Sequence, residues 1–214
     1  RNSKNNDVGR VLLIFPTPVR KQVFLNCLPP LGILSVASFL ESKGIRADVV
    51  DCHVQTEMPD FNNYDAVCFS VNIANVQNTV DYIKEIKDSG KEQKILIGGP
   101  QNPHRSEYWL REHNVDAVFI GEAEHSMHEY LTAKDVSKVK GILYKKKDGE
   151  IVYTGARQLF VNIDELPFPA LDKVPIEKYN LPIKKDFPVS SIITSRGCPA
   201  ACTFCYARKG AWRQ

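Results

Sequence analysis

The chain has 214 residues, 43% of them apolar and 25% charged, with a formal net charge of +3. That length allows one or two domains with a buried core, and so small a positive excess gives no footing for nucleic acid or an anionic membrane. No apolar run reaches the roughly 18 residues of a spanning helix, the polar start is no signal peptide, and six cysteines without one point to a reducing, cytoplasmic setting where thiols serve metals rather than disulfides.

The first strand is Arg10-Val-Leu-Leu-Ile-Phe15, a continuous apolar run of the kind covered on both faces, and Pro16-Thr17-Pro18 stops it. After a loop to Pro29-Pro30, residues 31–43 space Leu31, Leu34, Val36, Ala37, Phe39 and Leu40 compatibly with a helix, with Gly44 where a left-handed cap belongs. A second strand spans residues 46–51, and the connection onward, 52–64, has no strong helical period. Asp65-Ala-Val-Cys-Phe-Ser70 reads as the third strand. Val76, Val80, Ile83 and Ile86 then fall at helical spacing, with Asn72 or Asn75 as candidate caps and Gly90 as the stop. Residues 94–97 form a fourth strand ending in Gly98-Gly99-Pro100, 104–113 a helix, 116–120 a fifth strand ending at Gly121-Glu122, and 124–133 another helix.

Strands alternating with helices predict an α/β fold, here a flavodoxin-like, doubly wound, five-stranded parallel sheet of order 2-1-3-4-5. In such folds ligands bind beyond the carboxyl ends of the strands, where strand order reverses. That edge is made of residues 16–28, 70–75, 98–103 and 121–124. From about residue 136 the period changes: two alternating runs about Asp148-Gly149 predict a β-hairpin. Residues 166–188, rich in proline, read as an extended linker. Residues 189–194 then form a sixth apolar strand. The organisation is therefore a first domain over 8–135, a hairpin and linker over 136–188, and the start of something further over 189–214. Without an initiating methionine, and stopping nine residues after Cys205, the sequence reads as cut at both ends.

The sixth strand delivers Cys198, Cys202 and Cys205, spaced C-x3-C-x2-C on one short loop. Thiolate is the soft ligand that selects iron–sulfur clusters or zinc. A cubane cluster fully held by cysteine needs four, and three would leave one iron open to a substrate or cofactor. Zinc would need a fourth ligand from Cys27, Cys52, Cys68 or a distant histidine. Three unconnected buried thiols are the remaining alternative.

With Phe204 just before the last cysteine and Ser195-Arg196-Gly197-Cys198-Pro199 ahead of it, the motif resembles that of the radical S-adenosylmethionine enzymes. The resemblance implies a 4Fe–4S cluster on Cys198, Cys202 and Cys205, S-adenosylmethionine chelated by the open iron, and residues 189–214 as the first strand and cluster loop of a truncated (β/α) barrel. A whole barrel runs some 200 residues further, so catalytic residues are unknown and expected in that barrel, and the fragment alone is expected to be inactive.

For the first domain, the loop after the first strand carries no glycine, which excludes a dinucleotide fingerprint or a flavodoxin phosphate loop. A phospho-receiver is excluded as well, since Pro16-Thr17 and Ser70 stand where it needs acidic residues. In order, Val11-Leu-Leu-Ile14, Pro30-Leu-Gly-Ile-Leu34, Val49-Val-Asp51, Phe69-Ser70, Ile97-Gly-Gly-Pro100 and Phe119-Ile-Gly-Glu-Ala-Glu124 resemble the cobalamin-binding domain of cobalamin-dependent radical S-adenosylmethionine enzymes. By that resemblance a corrin lies across the loop edge, contacted by Pro16, Thr17, Ser70, Val71, Asn72, Ile73, Asn75, Gly98, Gly99, Pro100, Gly121 and Glu122. Gly98 and Gly99 then serve close approach to its nucleotide tail, with a plain strand-ending turn as the other reading.

The D-x-H-x-x-G histidine that cobalamin enzymes of the methionine synthase type carry after the first strand is missing, since no histidine lies between Arg10 and Cys52. The expectation is base-off cobalamin without a histidine ligand, its lower face covered by residues 71–75. His53, His104, His113, His125 and His128 have no metal-ligand spacing. The implied parent is an anaerobic methyltransferase that acts on an unactivated carbon through a 5′-deoxyadenosyl radical and methylcobalamin. It takes a small-molecule substrate and electrons from a flavodoxin or ferredoxin. An oxidative cyclase of the same architecture, and a non-catalytic cobalamin carrier, sensor or scaffold, stay open.

Overall fold

A computed structural model of the chain describes residues 9–18, 28–100, 103–159, 162–179, 190–205 and 212–213. Strands β1 (Arg10–Phe15), β2 (Arg46–Asp51), β3 (Ala66–Ser70), β4 (Lys94–Gly98) and β5 (Ala117–Phe119) alternate with helices α1 (Leu31–Ser42), α2 (Val76–Asp88), α3 (Pro103–Glu112) and α4 (Glu124–Thr132). The five strands are parallel in the order β2-β1-β3-β4-β5, as the sequence predicts. The connection 52–64 holds only a 3-10 turn at Phe61–Asn63. Among the described residues, no helix is long and apolar enough to cross a membrane.

The continuous apolar runs have a direct cause in the layering. Val11, Leu13, Cys68, Leu96 and Phe119 face one way, onto Leu34 and Leu40 of α1 and Met127 and Leu131 of α4. Leu12, Ile14, Val67, Phe69 and Ile97 face the other, onto Ile83 and Ile86 of α2 and Trp109 and Leu110 of α3. Leu12, Ile14 and Leu34 are fully buried, and each such side chain contributes roughly 1.5–3 kcal/mol.

The region after α4 departs from its expected form in three places. The hairpin strands β6 (Ile142–Lys145) and β7 (Ile151–Tyr153) extend the sheet itself: β6 pairs antiparallel with β5, giving seven strands. The described part of the expected linker is packed rather than extended. It makes 3-10 turns at Ile163–Glu165, Leu171–Lys173 and Ile176–Lys178, and it buries Ala170, Val174 and Tyr179 in the α1 side of the core. Proline bars this segment from helix and sheet ladders, but it does not stop apolar residues between the prolines from packing. Finally, Ser190–Thr194 is not paired as a strand; Val189 lies outside the described residues.

The packed segment is tied down by polar contacts too. Tyr179 donates its hydroxyl to Asp51 Oδ2 at 2.6 Å, Lys178 Nζ donates to the Val54 carbonyl at 3.2 Å, and Lys173 pairs with Glu41 at 2.7 Å. Asp51 is 1% exposed and also holds His53 Nδ1 at 2.7 Å. Burial first, then the bond to Asp51, pushes the Tyr179 phenol far above its ordinary value, so it keeps the proton it donates to Asp51. Replacing Tyr179 with phenylalanine leaves a buried carboxylate short of one donor. The expected cost is about 1.5–3 kcal/mol, read as a lower urea midpoint with an unchanged slope.

Candidate functional site

β1, β3 and β4 end together at the point where strand order reverses, and a cavity of about 560 Å³ opens there. Leu13, Cys68, Ser70 and Gly98 form its sheet side, Gly32, Ile33 and Val36 of α1 one wall, and Met127 of α4 with the loop from Gly121 the other. The hollow exists because side chains are missing where α1 and β4 would otherwise fill it. Gly32 and Gly98 both line it, and a Cβ built on Gly98 meets nothing within 4 Å. Burial pushes the Cys68 thiol up to about 12, so it stays protonated in the cavity wall, and burial likewise raises Cys52 to about 11. Neither is a ready fourth thiolate for the cysteine loop.

Of the residues singled out from sequence, Ser70, Gly98, Gly99, Pro100, Gly121 and Glu122 do line this cavity. Pro16, Thr17, Val71, Asn72, Ile73 and Asn75 do not; they form a braced rim beside it. Asn75 stands at the N-cap of α2, but its side chain makes no capping hydrogen bond. Its Oδ1 accepts from the Asn72 amide at 2.8 Å, while its Nδ2 donates to the carbonyls of Pro16 at 3.1 Å and Ser70 at 3.2 Å. Asn72 Oδ1 in turn accepts from the Ala74 amide at 2.8 Å, and Asn78 donates to Thr17. Ile73 stands out from this braced loop, 86% exposed. Residues 19–27 of the β1–α1 loop lie outside the described residues.

Gly99 has a different reason for being glycine from the one the sequence suggests. Its φ is +100°, and a Cβ there would sit 2.5 Å from the Val71 carbonyl oxygen and 2.8 Å from the Val71 nitrogen. The close approach is thus to the neighbouring loop of the chain itself. Sequence reading did not assign Gly32, Ile33, Val36, Cys68 or Met127 to the lining, whereas Glu124 fell within the predicted edge 121–124 and Arg196 within the cysteine motif. Only Gly32 carried a signal: glycine inside an apolar helix costs about 0.5–1 kcal/mol and so marks a place where a side chain would intrude.

The described histidine side chains pack against aromatic rings. His53 is buried against Asp51 and stacks on Phe15 at 4.9 Å, so it is no surface residue. His125 and His128 lie edge-on to Phe39, His113 packs on Trp109, and the His104 side chain lies outside the described residues. On the cysteine loop, Cys198 is half-buried and Cys202 and Cys205 are exposed. The Cys205 amide donates to the Cys202 carbonyl at 3.2 Å. Among the described residues no group of His, Cys, Asp or Glu is gathered closely enough to hold a metal. The donor set suits an iron–sulfur centre by chemistry, though not by preformed geometry, and metals commonly assemble their own ligands.

The sequence matches the B12 binding domain family over residues 19–131. It is 28% identical to an uncharacterized methyltransferase of Pyrococcus horikoshii over 92% of this chain and 45% of that protein. It is 30% identical to the hopanoid C-3 methylase of Methylococcus capsulatus, over 92% of this chain and 39% of that one. It is 26% identical to the anaerobic magnesium-protoporphyrin IX monomethyl ester cyclase of Rubrivivax gelatinosus, over 86% and 36%. The chain thus spans less than half the length of these relatives. Among solved structures, the cobalamin-dependent S-adenosylmethionine radical enzyme OxsB with aqua-cobalamin and S-adenosylmethionine bound superposes with a TM-score of 0.73 at 20% identity, over 97% of this chain and 30% of that one. At that identity the likeness is one of fold.

Proposed function

The chain belongs to the B12-binding domain family, and from that footing we propose that it holds cobalamin with the nucleotide tail in the cavity between the sheet, α1 and α4. One observation carries the reading: an apolar hollow at the strand-order reversal, with open space where Gly98 lacks a side chain. Gly32 and Gly98 leave room for the tail, Ile33, Val36 and Met127 give it apolar walls, and the backbone at Ser70 and Gly98–Pro100 offers polar groups. The rim 71–75, with Ile73 at its tip, would cover the corrin beside the cavity. His53 is committed to Asp51 and Phe15, which agrees with a cobalamin held without it as a ligand.

The whole protein is then a radical S-adenosylmethionine enzyme of a reducing cytoplasm. Cys198, Cys202 and Cys205 would hold a 4Fe–4S cluster, which with S-adenosylmethionine would supply the radical chemistry. Bound cobalamin supplies the methyl group for an unactivated carbon of a small-molecule substrate, and a flavodoxin or ferredoxin supplies electrons. Substrate contacts belong to the barrel that would follow residue 189. The cyclase relative supports a second reading, in which the same two cofactors serve ring closure; product analysis of the full-length protein separates the two.

The test is to mix the chain anaerobically with hydroxocobalamin and pass it through gel filtration. Co-elution near one corrin per chain is expected. Folded protein emerging without corrin would reduce the domain to a scaffold.

A further inference from the structure

The segment leading into Cys198 is clasped to the first domain by charge. Arg196 reaches Glu124 at 2.7 Å and Glu122 at 3.8 Å, and Arg213 pairs with Glu122 through both its terminal nitrogens. The two arginines also exchange backbone hydrogen bonds, Arg196 amide to Arg213 carbonyl at 2.9 Å and the reverse at 2.8 Å. The four side chains are between 4% and 22% exposed, so solvent ions screen them less than a surface pair. Both glutamates lie at the amino end of α4, where the helix dipole favours negative charge. The clasped segment closes one side of the cavity through Ile193 and Ser195–Gly197.

We propose that Glu122 and Glu124 are positioning residues: acting through Arg196 and Arg213, they seat the cysteine loop against the mouth of the cavity, so that filling the cavity and ordering the loop are coupled. The proposal rests on the cobalamin site argued above. A ligand touching residues 195–197 binds the clasped arrangement better than the open one, and linkage makes the clasp tighten by the same factor. Arg196 is two residues from Cys198, so fixing its backbone restrains the chain that leads into the first thiol of the motif.

Hydrogen exchange at the Arg196 and Arg213 amides, with and without hydroxocobalamin, tests this. In the native chain, hydroxocobalamin is expected to slow both amides. Arg196→Gln should speed both in the free chain by about ten-fold, equivalent to roughly 1.4 kcal/mol, with the β1 and β3 amides unchanged. It should also abolish the cobalamin-induced slowing, which Arg196→Lys should partly restore. Glu124→Gln attacks the clasp from the other side and should give the same pattern. Unchanged exchange at Arg213 in both variants overturns the clasp, whatever cobalamin does. Retained cobalamin that leaves the native Arg196 amide unaffected overturns the coupling, because a merely structural pair would change only the free chain. Failure of the native chain to retain hydroxocobalamin is a separate result; it removes the site, and the positioning role with it.

Discussion

Replacing Gly98 with phenylalanine should abolish cobalamin retention while leaving the chain folded. A Cβ at Gly98 points into open space, and its backbone is not in the left-handed region, so an L side chain is accommodated there. A phenyl ring then occupies the space proposed for the nucleotide tail. Filling an apolar hollow with apolar atoms does not harm the core, and removing a glycine from a compatible strand position favours folding by about 0.4–1 kcal/mol. The loss in hydroxocobalamin affinity should be roughly 100-fold or more, about 2.7 kcal/mol. The thermal midpoint should hold or rise slightly. Gly98→Ala, too small to block the space, should bind nearly as the native chain does.

One residue on, the same kind of change should do the reverse. Gly99→Ala puts a Cβ 2.5 Å from the Val71 carbonyl oxygen at a φ of +100°. The backbone strain alone costs about 1–3 kcal/mol, and the contact is with main chain, which cannot swing aside. Either the β4 loop or the braced rim at 71–75 must move. A midpoint lower by roughly 5–10 °C is expected, with cobalamin weakened as a consequence of the displaced loops. Calorimetry of the two variants side by side distinguishes the roles: Gly98 leaves room for a ligand, whereas Gly99 lets two loops of the chain meet.

That contrast marks what was legible in the sequence. The five parallel strands were, because a strand buried on both faces writes itself as an unbroken apolar run, as at Val11–Ile14. Their order followed from the alternation with helices, and the edge where ligands bind followed from the order. Glycines at that edge were visible, but not what each one met, since Val71 lies far from Gly99 in sequence. The cavity walls were hidden for the same reason: Val36 and Met127 look like ordinary core residues until α1 and α4 stand side by side. The packed segment around Tyr179 was concealed by its prolines, which signal the absence of regular structure and say nothing about burial. The pairing of Arg196 with Glu124 joins residues that no local period connects.

In the function proposed above, the cavity takes the nucleotide tail of cobalamin. The most direct measurement compares binding of hydroxocobalamin with that of cobinamide, which keeps the corrin and cobalt but lacks the nucleotide. Tight retention of the first and at least ten-fold weaker retention of the second, about 1.4 kcal/mol, is the predicted result. Equal affinity for the two, or equal indifference, in a folded chain would contradict it.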